Sequence, residues 1–147
     1  MLDAAISACP ERLWSAALWE DSEDPRYGQF WSVAYHTLFW LDLYLHGSFE
    51  GFAPPAPFLS RGLPEKPYTK EEIRTYLSQC RRKCQSLIER LTDEQAYEIR
   101  RFNWMEPSFV ELQLYSMRHV QEHAAQLSLL LGQHGIAGPD WVAKARE

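Results

Sequence analysis

His36, His119 and His123 carry the chemistry this sequence offers. His119 and His123 stand at i and i+4 in Arg118-His-Val-Gln-Glu-His, so on a helix both rings leave one face, a turn apart, within joint reach of one ion. An isolated pair of this kind in a core is more often held by hydrogen bonds to backbone or side chains. His36 changes the balance. It sits beside Val33, Phe39 and Trp40 in a stretch so apolar that it is expected inside as well, and buried imidazoles need partners for their ring nitrogens. The expectation is one divalent cation held by His36, His119 and His123, zinc ahead of nickel, iron or manganese. Three neutral imidazoles would leave the ion's charge uncompensated and a coordination position open, the mark of a catalytic rather than a closed structural site.

The other candidate ligands have plainer readings. His46 and His134 each precede a glycine at an expected helix end, where a basic side chain suits the helix dipole. Cys80 and Cys84 lie a turn apart on an apolar stripe and are expected to act as small core residues. His119 to His123 also spells H-x-x-E-H, the string of inverted zinc peptidases, but those enzymes need a further acidic ligand downstream. Only Asp140 and Glu147 follow, and Glu122 falls on the polar face with Arg118. Di-iron bundles use Glu-x-x-His, whereas Ser116 and Val120 stand three residues before the two histidines, so no dinuclear site is expected. Haem held by bundle histidines is a third reading, one that would show as visible absorbance.

The elements that must position the histidines are helical. Ser32 to His46 is apolar on nearly every side and stops at Gly47, which reads as a helix surrounded by others. Before it, Leu2 to Cys9 is helical in pattern, Pro10 interrupts, and Arg12 to Trp19 resumes, giving a short or kinked first helix. Residues 48 to 68 hold five prolines and two glycines and form a long loop, of the kind that crosses a bundle or covers a site. Thr69 and Glu72 make a capping box ahead of Ile73, Tyr76, Leu77, Cys80, Cys84, Leu87, Ile88 and Leu91, an amphipathic third helix. Ser108 and Glu111 make a second box, and the stripe Leu112, Tyr115, Leu127, Leu130 runs on until Gly135. His119 and His123 interrupt that stripe and are expected to face inward. With no credible strand, the fold class is all-α: an antiparallel four-helix bundle, its long crossover loop joining helices 2 and 3.

Composition bounds the rest. The 147 residues are 46% hydrophobic and 14% aromatic, which is enough for one domain with a real core and too little for two, so residues 1–147 are read as a single domain. The net charge of −5 and the lack of any basic run longer than Arg81-Arg82-Lys83 argue against nucleic acid. The most apolar stretch, Trp31 to Leu45, is shorter than the roughly 18 residues a bilayer span needs and contains His36 and Asp42, so no membrane partner is expected. The N-terminus lacks the basic start and apolar run of a signal peptide, and three cysteines cannot pair completely, which fits a reducing cytoplasm.

Trp31-Ser32-Val33 opening a helix, His36 three positions on, and His119-x-x-x-His123-x-x-Gln126-Leu127 leading to a late glycine resemble the DinB-like, or YfiT-like, metalloenzyme family. The resemblance spans helices 2 to 4. It implies an up-down-down-up four-helix bundle, a divalent metal on His36, His119 and His123, and homodimers. Family members with known activities include thiol-cofactor S-transferases and a thiol-dependent isomerase. The chain departs from the family at its start, where the first helix is usually longer than the residues preceding Pro10. The expected partner is a small molecule, a low-molecular-weight thiol among the candidates, and the expected reaction is S-transfer or metal-assisted hydrolysis. Gln126 could orient a ligand from one turn beyond His123; Tyr115 could donate a proton, or be an ordinary core or interface residue. The competing class is a non-catalytic helical module with a vestigial or structural metal, whose function lies in dimer formation or partner binding. Six tryptophans motivate it. An open cavity reaching the histidines would favour the enzyme, a sealed site the module.

Overall fold

The computed structural model describes residues 1–138. Among these the chain is helical: α1 Leu2–Ala8, α2 Glu11–Trp14, a 3-10 turn Pro25–Gly28, α3 Phe30–His46, α4 Lys70–Ile88, α5 Asp93–Tyr97 and α6 Phe109–Gln133. No strand occurs among the described residues, only isolated bridges such as Ala17 with Gln29. No described helix is long and apolar enough to cross a membrane.

Local chemistry sets most of these boundaries. Pro10 has no N–H to donate into the turn before it, and Cys9 ahead of it is extended (φ −66°, ψ 118°), so α1 and α2 are separate segments. The helical pattern from Arg12 does not persist to Trp19, because α2 ends at Trp14, whose indole Nε1 donates to the Tyr68 carbonyl at 2.8 Å. The chain then zips onto residues leading into α3: Leu18 N donates to Gly28 O at 2.8 Å and Phe30 N to Ala16 O at 3.0 Å. Gly28 permits this, since a Cβ there would lie 2.1 Å from the Trp19 carbonyl oxygen. α3 stops at Gly47, which takes φ +86°. The expected boxes are both present, Thr69 with Glu72 opening α4 and Ser108 with Glu111 opening α6, and a third, Thr92 with Gln95, opens the short α5.

α3 packs against both α4 and α6, and α1 also touches both. Ser116 and Ala124, small and buried, face inward on α6 with Phe109, Leu112, Leu127, Leu130 and Leu131. The Gln113 amide donates to the Tyr44 carbonyl at 3.1 Å while His119 meets His36, so α3 and α6 run in opposite directions along their seam. The proline-rich loop has no regular element, as expected, yet it is anchored: Phe58 stacks on Tyr35 (5.6 Å, 9°) and on Tyr76 (4.6 Å, 26°). Because α1 is only 7 residues long, the space between α4 and α6 beyond it is uncovered. It forms an apolar groove of about 750 Å³ lined by Leu41, Cys84, Ile88, Leu114 and Met117 among others. This corrects the expectation that Cys80 and Cys84 are both core residues: Cys80 is 1% exposed, but Cys84 is half-buried, and Ile88 farther along the stripe is 50% exposed.

Candidate metal centre

The three histidines meet at the α3–α6 seam. His119 Nε2 lies 3.3 Å from His36 Nε2 and 3.0 Å from His123 Nε2, and one ligand atom from each residue falls within 4.8 Å of the others. The rings of His119 and His123 are 4.5 Å apart and nearly perpendicular (89°), and His36 stands 5.3 Å and 5.1 Å from them. Residues 83 positions apart are thus brought to one point by helix packing.

Their setting differs from the one the sequence suggested. His36 is exposed on part of its surface, and His119 and His123 are half-buried rather than interior. The reason lies in the phase of α6. Its interior line runs through Leu112, Ser116, Ala124 and Leu127, so His119 and His123 fall one position to the side, on the rim of the seam. On α3 the interior is taken by Tyr35, Thr37 and Leu38, which leaves His36 at the matching edge. Tyr115, expected on the inner stripe, is likewise 42% exposed and meets Tyr44 edge-on at 5.6 Å.

Protein crowds the rings even so. Lost hydration, followed by repulsion from the charged forms of His123 and His119, pulls the His36 pKa down to about 3. Lost hydration and then His123 pull His119 to about 4. Both are neutral at pH 7, the state in which imidazole ligates.

The donor set fits a cation. His123 Nδ1 pairs with Gln126 Oε1 at 2.7 Å; since that oxygen can only accept, the ring proton sits on Nδ1 and the lone pair of Nε2 faces the other two rings. Three Nε2 atoms packed this closely have too few protons to satisfy one another as neutral imidazoles, and a cation at their common focus would satisfy all three. Among the described residues, no carboxylate or thiol belongs to the cluster. Glu122 of the H-x-x-E-H string is exposed, and Asp140 and Glu147 lie outside the described residues. His119 Nδ1 is buried with no hydrogen-bond partner among the described residues, so only packing holds that edge of the ring.

The site is open on both sides. A cavity of about 340 Å³ reaches His36 and His123 and is lined also by Trp19, Asp21, Glu23, Tyr27, Ser32 and Val33. A second hollow of about 360 Å³ reaches His119 beside Tyr115, Arg118 and Glu122. Trp40 flanks His36 at 6.1 Å and begins a half-exposed aromatic wall through Phe49 and Trp104. A further hollow of about 870 Å³ is remote from the histidines, and among its lining charges Lys70 pairs with Glu11 and Arg74 with Asp3.

The segment that walls the site is 19–27, not the proline loop, and sequence reasoning missed it. The signal was present: Asp24-Pro25 and Gly28 mark a turn that must pack on the start of α3, where His36 follows. The plainer readings hold elsewhere. His46 and His134 sit at the ends of α3 and α6. Cys80 is a core residue whose thiol burial pushes up to about 12.

A family model described as the DinB superfamily matches residues 2–127, a span that includes all three histidines and Gln126. No curated protein matches the chain.

Proposed function

Since the chain belongs to the DinB superfamily, we propose that it is a metal-dependent enzyme acting on small molecules, as an S-transferase using a low-molecular-weight thiol or as a hydrolase. His36, His119 and His123 hold one divalent ion, zinc ahead of nickel, iron or manganese. The observation that carries this reading is the convergence of one ring nitrogen from each of three histidines within 4.8 Å, with cavities opening onto them. When bound, the ion lowers the pKa of a coordinated water or thiol and so supplies a nucleophile at neutral pH. The chain's own residues do the rest. Gln126 fixes the His123 ring through Nδ1, and Trp40 and the 19–27 segment wall the approach to His36.

The same reading takes residues 1–147 as one up-down-down-up four-helix bundle in a reducing cytoplasm. Support for this comes from the opposed α3 and α6 and from three unpaired thiols, Cys9, Cys80 and Cys84. The test is metal content. The stripped protein should take up one Zn²⁺ per chain in a calorimetric titration, and His123→Ala should abolish stoichiometric binding while keeping the helical circular dichroism. A wild-type chain that stays metal-free would overturn the reading.

One observation favours a second reading, a helical dimerisation module with a structural metal: the apolar groove between α4 and α6. A second copy of this chain is the proposed occupant, and Met117→Glu should convert a dimer to a monomer in light scattering. Dimer formation together with turnover would favour the enzyme, whereas dimer formation with inert metal would favour the module.

A further inference from the structure

The cavity beside His36 and His123 has a composition the metal does not explain. Its charged lining residues among those described are Asp21 and Glu23, and no described lysine or arginine borders it. Neither carboxylate joins the histidine cluster, so neither is placed to ligate the same ion. Neither has an ion-pair partner among the described residues. The nearby Arg26 is already committed to Asp24 at 2.7 Å and to the Pro64 carbonyl at 2.9 Å. Two aromatic rings complete the wall: Trp19 and Tyr27 are 39% and 40% exposed. Their positions are set by the backbone zip at Gly28 and by the Asp24 cap on the Pro25–Gly28 turn. Asp21 is held too, its Oδ1 accepting from the amides of Glu23 and Asp24 at 3.0 and 3.2 Å.

Aromatic faces and unneutralised carboxylates lining one small cavity are the chemistry that recognises a cation too bulky to coordinate, an alkylammonium group above all. We propose that this cavity binds a small molecule carrying an amine or quaternary ammonium group, seated against Trp19 and Tyr27 with Asp21 and Glu23 as counter-charges, so that another part of the molecule reaches the histidine centre. The inference deepens the metal-enzyme reading and rests on it for the claim that the bound molecule reacts; the pocket itself can be examined without metal. Its size suits an ammonium head with a short chain, since about 340 Å³ lies at the lower end of small-molecule sites.

The experiment uses the full chain, stripped of metal and again with Zn²⁺, and follows the Trp19 indole N–H by ¹H–¹⁵N correlation spectroscopy, assigned with Trp19→Phe. The probes are choline and 3,3-dimethyl-1-butanol, which share a shape and differ in charge. Choline should shift the Trp19 signal saturably and bind about tenfold more tightly than the alcohol. The double variant Asp21→Asn/Glu23→Gln keeps the Oδ1 acceptor that shapes the turn and should bring choline down to the alcohol's level. Equal affinity for both probes, no saturable shift with choline, or a preference that survives the double variant would overturn the proposal. A chain that prefers choline but takes up no metal refutes the enzyme reading and leaves the pocket standing. One that binds metal without preferring choline does the reverse.

Discussion

α3 carries a polar residue into each of its two long seams, and the two are treated differently. Towards α4, Asp42 is 8% exposed and fully engaged: Tyr76 donates to Oδ2 at 2.9 Å, and Lys83 donates to Oδ1 at 2.5 Å and to the Asp42 carbonyl at 3.2 Å. Burial, and then the Asp42 carboxylate, push the Tyr76 hydroxyl far up, so it remains a donor. Towards α6, His36 meets two imidazoles that cannot all satisfy one another, and His119 Nδ1 has no partner among the described residues. The first cluster is complete as protein and clamps two helices. The second leaves ring nitrogens that protein groups among the described residues do not all pair. Polar residues at helix seams are therefore best sorted by whether protein groups alone satisfy them.

Breaking each cluster should separate the two roles. The largest expected effect is on the clamp: Asp42→Ala leaves the Tyr76 hydroxyl and the Lys83 ammonium without their acceptor and should cost about 3 kcal/mol of stability in urea unfolding, with zinc affinity unchanged. The reverse pattern belongs to Gln126→Leu, which frees His123 Nδ1. Zinc affinity should fall about 10- to 100-fold in competition with a chromophoric chelator, while the urea midpoint of the metal-free chain stays put.

A smaller effect sharpens the contrast through pH. His36 and His119 titrate from a usual 6.5 in the unfolded chain but from about 3 and about 4 in the fold. Below pH 6.5 the unfolded state takes up protons that the metal-free fold refuses, so these residues' contribution is intact above 6.5 and is lost as pH falls through the folded values. The metal-free wild type should lose urea stability more steeply than His36→Ala/His119→Ala between pH 6.5 and about 4. Parallel curves would contradict that placement. The least effect is expected from thiol reagents at pH 7: burial raises Cys9 to about 11 and Cys80 to about 12, and native alkylation should be slow until denaturant is added.

Elements whose ends are written in local chemistry were legible in the sequence: both expected capping boxes, the Gly47 stop and the break at Pro10. The pairing of His119 with His123 was legible in their i, i+4 spacing, and the arrival of His36 was expected from its apolar helix and from the family resemblance. The depth of the histidines was not. An apolar stripe several residues wide does not say which of its members faces the neighbour, and here Ser116 and Ala124 take the interior, pushing both imidazoles to the rim. Residues 15–19 read as helix but are captured by long-range hydrogen bonds to Gly28 and Phe30, an interaction that no local window contains. The acidic and aromatic wall at 19–27 was hidden for the same reason.

The Ser108–Glu111 box fixes the residue at which α6 begins, and the two α6 imidazoles inherit their angular position from it. One residue inserted between that cap and His119 would swing both rings by about 100° around the helix axis and out of reach of His36. Length changes upstream, in the connection from α4, leave that angle untouched. The centre can therefore drift by substitution, and the chain can grow or shrink outside the helices, but within this stretch of α6 an added or lost codon is an all-or-nothing event.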